Sequence, residues 1–316
     1  MRLSASALIG AIALLPAFGE VSAFAPQPSF LKSANVNNNN NNNKIASSSS
    51  SSTISGSNSR SSTSLNPVVP QFDCDPVIYT PNTEDVEVVD KCYCDARFPS
   101  LTMGFNMRWK ASNCEKIYLC NTPEGVRQAV DAAISLYGAG SLKIISGGHC
   151  YENFVFNDST KAVINVTPLL DWGYDDTKGY YLSSGDTNWG AFKKVFRHLG
   201  AVIPGGSCYS VGLGGHISGG GDGVLSRLHG LTVDWLSGVE VVIKDDPDAD
   251  ARIVYADANN EYSDLYWAHT GGGGGNFGVI TKYYFSELPP APEGVVVSVL
   301  HFDWSVVIDN QQGFYN

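Results

Sequence analysis

The chain opens on an apolar run, Ala5 to Phe18, then loses any regular hydrophobic rhythm until about residue 110. Beyond that point two periods alternate. Apolar runs of strand length recur at Lys116–Leu119, Leu142–Ile145, Ala162–Val166, Tyr180–Ser183, Val239–Ile243, Ile253–Tyr255 and Val279–Phe285. Between them, apolar residues three and four apart mark helices lying on a core. Val126, Val130, Ala133 and Ile134 define one such face, and Trp189, Phe192, Val195, Phe196 and Leu199 define another. The first helix has a full start signal in Asn121-Thr122-Pro123-Glu124: Thr122 as N-cap, Pro123 at the first helical position and an acid in the first turn. Asp186-Thr187 cap the second and Gly200 stops it, after which Val202-Ile203 leads through Pro204. Ser263–Ala268 suits a short helix.

These elements predict an α+β chain. The strand, helix and strand between Lys116 and Ile145 form a β-α-β unit, and the runs on either side of the acidic turn Asp245–Asp250 form a hairpin. Residues 73–110 carry Cys74, Cys92 and Cys94 with little periodicity and are expected to be a loop-rich lead-in. Pro289-Pro290-Ala291-Pro292 reads as a domain boundary, and Val295–Phe302 starts a further strand.

Composition changes this picture in three places. The first is the N-terminus. Arg2, the apolar run and the small residues Val21-Ser22-Ala23 predict a signal peptide over 1–23. The apolar run is too short for a stable membrane span. Residues 24–72 contain no Asp or Glu but have Asn and Ser tracts. That composition belongs to a transit peptide or a disordered linker. The expected destination is a complex plastid, for which Phe24 would begin the transit part, or secretion. The second is charge: a formal net charge of -11 argues against nucleic acid as a partner. The third is cysteine. All seven lie beyond residue 73, and with Cys208 set aside the other six allow up to three disulfides. Cys92-Tyr93-Cys94 has no second Cys/His pair close by, so no metal site is expected.

The 33 glycines carry the candidate chemistry. Leu142–Ile145 runs straight into Ser146-Gly147-Gly148-His149-Cys150, and Pro204 into Gly205-Gly206-Ser207-Cys208-Tyr209-Ser210-Val211-Gly212-Leu213-Gly214-Gly215-His216. Gly271–Gly275 forms a third run. Gly-rich loops after strands let bare N–H groups converge on an anion. Here they also present two nucleophilic side chains, His149 and Cys208. Neither the dinucleotide fingerprint nor a P-loop is present, since no glycine ends the first pattern and no Gly-Lys-Ser/Thr occurs. No Ser/His/Asp constellation or His-Glu-x-x-His is visible. His216 and His229 read as loop or cofactor-packing residues, and Asp234, beside Trp235, as a turn residue.

Taken in order, Ser146-Gly147-Gly148-His149, Gly205-Gly206-Ser207-Cys208, Val211 to Gly221, Leu225 to Asp234 and Trp267 to Ile280 resemble the FAD-linked oxidases of the berberine-bridge-enzyme-like group. That group lies in the vanillyl-alcohol-oxidase superfamily. The resemblance covers about residues 111–288. It implies a PCMH-type FAD-binding domain of two α/β subdomains over 111–288. Only the start of a substrate domain would follow at 289–316. It implies FAD held bicovalently, the 8α carbon on His149 and C6 on Cys208. The remaining cofactor contacts it implies are Ser146, Gly147, Gly148, Gly206, Ser207, Val211, Gly212, Gly214, Gly215, His216, Gly219, Gly220, Gly221, Gly278, Val279 and Ile280. The implied reaction passes hydride from an alcohol, sugar or related small molecule to flavin, with O2 as acceptor. The substrate-activating base would lie outside this sequence, and a flavin-binding fragment without turnover is the alternative. Ile145, Tyr209 and Asp222 depart from the family pattern, which has Arg, Pro and an aromatic residue at those positions.

Overall fold

A computed structural model describes residues 9–13, 83–91 and 95–301. The remaining leader and low-complexity residues, Cys74, Cys92 and Cys94, and the chain after 301 lie outside the described residues. Strand β1 is Ile9–Ala13 and β2 is Val86–Asp90. A short turn of helix, α1 (Phe98–Leu101), precedes β3 (Lys116–Cys120) and the long helix α2 (Pro123–Tyr137). Then come β4 (Leu142–Ile145), β5 (Ala162–Asn165), β6 (Trp172–Asp175), β7 (Gly179–Ser183) and helix α3 (Asn188–Leu199). Two short helices, α4 (Leu213–Ser218) and α5 (Ser226–His229), lead to the hairpin of β8 (Gly238–Ile243) and β9 (Arg252–Asp257). Helix α6 (Ser263–Ala268), β10 (Val279–Phe285) and β11 (Val296–Leu300) complete the set.

Two sheets carry the domain. The first has the order β2-β3-β5-β4, with β2 antiparallel to β3 and the other pairs parallel. The second is antiparallel throughout, in the order β6-β7-β10-β8-β9. β1 pairs with β11 in a separate ribbon. The helix α2 starts where its sequence says it should: the Thr122 hydroxyl accepts from Gly125 N–H at 3.0 Å, with Pro123 in the first turn. Its apolar face, Val126, Ala129, Val130 and Ala133, packs with Tyr118, Cys120, Ala162 and Ile164 of the first sheet and also with Val242 and Val279 of the second. Asp131 on the same helix receives Lys244 Nζ at 2.9 Å and Ala251 N–H at 2.8 Å, which fixes the β8–β9 turn.

Two expectations are corrected, for the lead-in and for the buried face of α3. The lead-in is not all loop, because Val86–Asp90 pairs along the whole of β3 and Val86 and Val89 are fully buried. The β-α-β unit of β3, α2 and β4 is present, with β5 inserted between its two parallel strands. Beyond α3, Ala201 makes an isolated bridge to Pro290. The aromatic face of α3 points outward: Trp189 is 51% and Phe196 47% exposed, while Asn188, Ala191 and Val195 are buried. Both stripes have helical spacing. The smaller one lets the helix approach the second sheet closely, and Trp189, Phe192 and Phe196 stack on one another outside it.

Of the up to three disulfides the cysteines allow, none forms among the described residues. Cys114, Cys120, Cys150 and Cys208 are free thiols. Cys114 packs against Ile117 and Val163, whereas Cys120 lies in the core around α2. Burial pushes the Cys114 thiol up to about 12 and raises Cys120 as well, so both behave as small apolar residues.

Candidate functional site

The site grows from the end of β4. Val166 N–H donates to Ile145 O at 2.9 Å, and the chain then turns out of the sheet at Ser146, whose hydroxyl donates to Ser184 O at 2.7 Å. Gly148 has φ +68°, the left-handed region that glycine enters without strain. A Cβ on Gly212 would overlap Ser146 Oγ and Gly147 N, so the first and second Gly loops touch backbone to backbone. That turn aims His149 at a cavity.

Two contacts fix the His149 ring. It stacks on Phe105 with centroids 4.8 Å apart and planes 16° from parallel. Its Nε2 lies 3.0 Å from the Ser210 hydroxyl, two residues beyond Cys208. The lead-in segment holds this loop: Phe105 N–H donates to Gly148 O at 2.8 Å, and Asn106 Nδ2 and Trp109 Nε1 both donate to Tyr151 O. These residues were missed by sequence reasoning; the only signal available was Asn106 set between the aromatic residues Phe105 and Trp109.

The cavity has a volume of about 530 Å³, within the range of small-molecule and cofactor sites. Among the expected residues, Ser146, Gly147, Gly148, His149, Val211, Gly212, Gly214, Gly215, His216, Gly278 and Ile280 line it. So do Cys150, Phe154, Phe156 and the third Gly run from Gly273 to Asn276, where Gly273 N–H donates to Ser218 O at 2.9 Å. Gly206 and Ser207 instead line a smaller pocket of about 230 Å³ with Trp189, Phe192 and Tyr209. Gly219, Gly220 and Gly221 form the turn after α4, where Thr232 N–H donates to Gly221 O, and Val279 is buried between strands. Cys208 is an exposed thiol that lines neither space, although Ser210 joins its loop to His149.

The lining carries no Asp, Glu, Lys, Arg or Tyr among the described residues. Its imidazoles are His149 and His216; burial lowers the His216 pKa and Asp222 opposes the shift. Fully buried His269 behind the third Gly run donates from Nδ1 to Leu265 O at 2.8 Å, and burial lowers it too. Among the described residues, the N–H groups of Gly147, Gly148 and His149 have no hydrogen-bond partner within the protein. A Cβ built on Gly215 meets nothing within 4 Å and would stand in open space. Free donors on bare backbone beside an apolar chamber fit a cofactor that joins a pyrophosphate to a flat ring system.

No protein-family model matches the chain. It is 59% identical over 212 residues to a hexose oxidase from Chondrus crispus, covering 66% of this chain and 39% of that one. It is 32% identical over 197 residues to berberine bridge enzyme-like 19 of Arabidopsis thaliana, covering 61% and 33%. Among solved structures, a glycopeptide hexose oxidase crystallised with teicoplanin superposes with a TM-score of 0.58 at 37% identity, covering 63% of this chain and 42% of that one. The chain thus spans well under half the length of the relatives it matches. With its two sheets and its ordered Gly loops, the chain belongs to the berberine-bridge-enzyme-like group of FAD-linked oxidases in the vanillyl-alcohol-oxidase superfamily.

Proposed function

We propose that this chain is the FAD-holding part of an oxidase that takes hydride from a sugar or related alcohol, with O2 as acceptor and the flavin tethered to both His149 and Cys208. The observation that carries the reading is the cavity flanked by free N–H donors, with His149 set at its wall by Phe105 and Ser210. The similarity to hexose oxidases supports a sugar as substrate. FAD supplies the two-electron acceptor when bound. The protein's own part is to bind, orient and shield. Gly147, Gly148 and His149 N–H groups offer donors to phosphate oxygens. The apolar wall of Phe154, Phe156 and Ile280 excludes water from a ring lying against it. Ser210 engages Nε2 of His149 and leaves Nδ1 as the free nitrogen.

A second reading is favoured by one observation: the described lining contains no carboxylate or phenol to take a proton from a substrate hydroxyl. On that reading the chain holds flavin without turnover. Visible absorption of the purified chain and peroxide release across a panel of hexoses and disaccharides separate the two. A flavin spectrum with peroxide supports the oxidase, a flavin spectrum without peroxide supports the second reading, and no flavin band contradicts both.

A further inference from the structure

The loop that presents Cys208 is held by a side chain whose protonation the geometry dictates. Gly206 N–H donates to Nε2 of His216 at 2.8 Å. An amide N–H only donates, so Nε2 carries the lone pair and the ring proton sits on Nδ1. The fit is close: a Cβ on Gly206 would lie 2.8 Å from His216 Cε1 and 2.7 Å from Asn188 Nδ2. The far half of the loop has other anchors, with Trp189 N–H on Tyr209 O and Asn188 N–H on Val211 O. Asn188 Nδ2 reaches Cys208 O at 3.4 Å. The near half, at Gly206, has His216. His216 lines the large cavity while Gly206 lines the small pocket, so their hydrogen bond joins the walls of the two spaces. Burial favours the neutral ring that this acceptor role needs.

We propose that His216 is a positioning residue for Cys208: its neutral imidazole accepts the Gly206 N–H and so sets where the thiol stands relative to His149. The proposal rests on the reading that Cys208 is an attachment point. His216 itself takes no part in forming either bond.

Substitution separates hydrogen bonding from space filling. His216→Gln keeps an acceptor; His216→Phe keeps a ring without one; His216→Ala keeps neither. Peptide mapping of denatured protein reads flavin on the His149 and Cys208 peptides separately. The Phe and Ala variants are expected to keep flavin on His149 and to lose about tenfold of the Cys208 linkage, the scale of one net hydrogen bond. Gln is expected to restore it. In flavin-free protein, amide exchange at Gly206 is expected to be slow in the parent and Gln forms and about tenfold faster with Phe. A Phe variant that matches the parent in both measurements overturns the proposal. Absence of flavin on Cys208 in the parent overturns the attachment reading alone, and the exchange experiment then still decides whether His216 holds the loop.

Discussion

Replacing Gly215 with leucine separates the fold from the cavity. Gly215 lies inside α4, its φ is not positive, and a Cβ there meets no neighbouring atom within 4 Å. The fold therefore has no need of glycine at this position. A helix-interior glycine costs about 0.8–1.0 kcal/mol relative to alanine, and leucine is nearly as good a helix former. The substitution should leave the thermal midpoint unchanged or raise it by about 2–4 °C, the response of a domain this size to 1 kcal/mol. The same side chain projects into the space where the cofactor is expected to lie. Overpacking of about 1–3 kcal/mol corresponds to roughly a five- to 150-fold loss of flavin affinity. The assay is flavin absorbance per chain beside a thermal melt of the same sample. Full flavin content in Gly215→Leu refutes the placement of the cofactor against α4. A collapsed melting midpoint refutes the claim that the space is open.

Other consequences are less elaborate. Burial lowers both His216 and His269, so the unfolded chain takes up protons first as pH falls. Their contribution is complete above about pH 6.5 and is lost below it, so the urea midpoint should fall between about pH 7 and 5; a midpoint that rises on acidification contradicts this. In Gly125→Ala the new Cβ would overlap the Asp85 carbonyl. Despite the better helix propensity it should cost about 1–3 kcal/mol in denaturant titration, and a neutral result contradicts the packing of β2 against α2. Thr122→Ala removes the cap of α2 and the donor to Asp85 Oδ1 at 2.7 Å; a loss of about 0.5–2 kcal/mol is expected in the same titration. Phe196→Ser on the exposed face of α3 should move stability by no more than about 0.5 kcal/mol, whereas a large loss contradicts the outward orientation of that stripe.

The parts legible in the sequence are those where one local signal decides the outcome. Leu142–Ile145, Ser263–Ala268 and Val279–Phe285 have the bounds their apolar runs predict, and Thr122 caps α2 through its own hydroxyl. What was not legible depends on distant partners. Val86–Asp90 is a short Val-rich run between polar residues, and it becomes a strand because β3 offers it an edge. In α3 two stripes share Val195, which is buried as predicted. Size favours its aromatic neighbours, but close approach to the second sheet selects Ala191, and Asn188 is drawn inward by the Cys208 loop. The site divides the same way. The Gly loops were readable as loops, and the third run was visible as Gly271–Gly275. That Phe105 stacks on His149, and that His216 holds the Cys208 loop rather than only facing a cofactor, follows from contacts across 44 and 10 positions, which no spacing rule encodes.

The central claim is that one flavin is held by both His149 and Cys208. Intact-mass measurement of acid-denatured protein tests it directly, on the parent chain, His149→Ala, Cys208→Ala and the double variant. The account predicts one FAD per chain in the parent and in each single variant, attached through the remaining residue, and none in the double variant. A parent chain that sheds all of its flavin on denaturation, or a double variant that keeps it, contradicts the account.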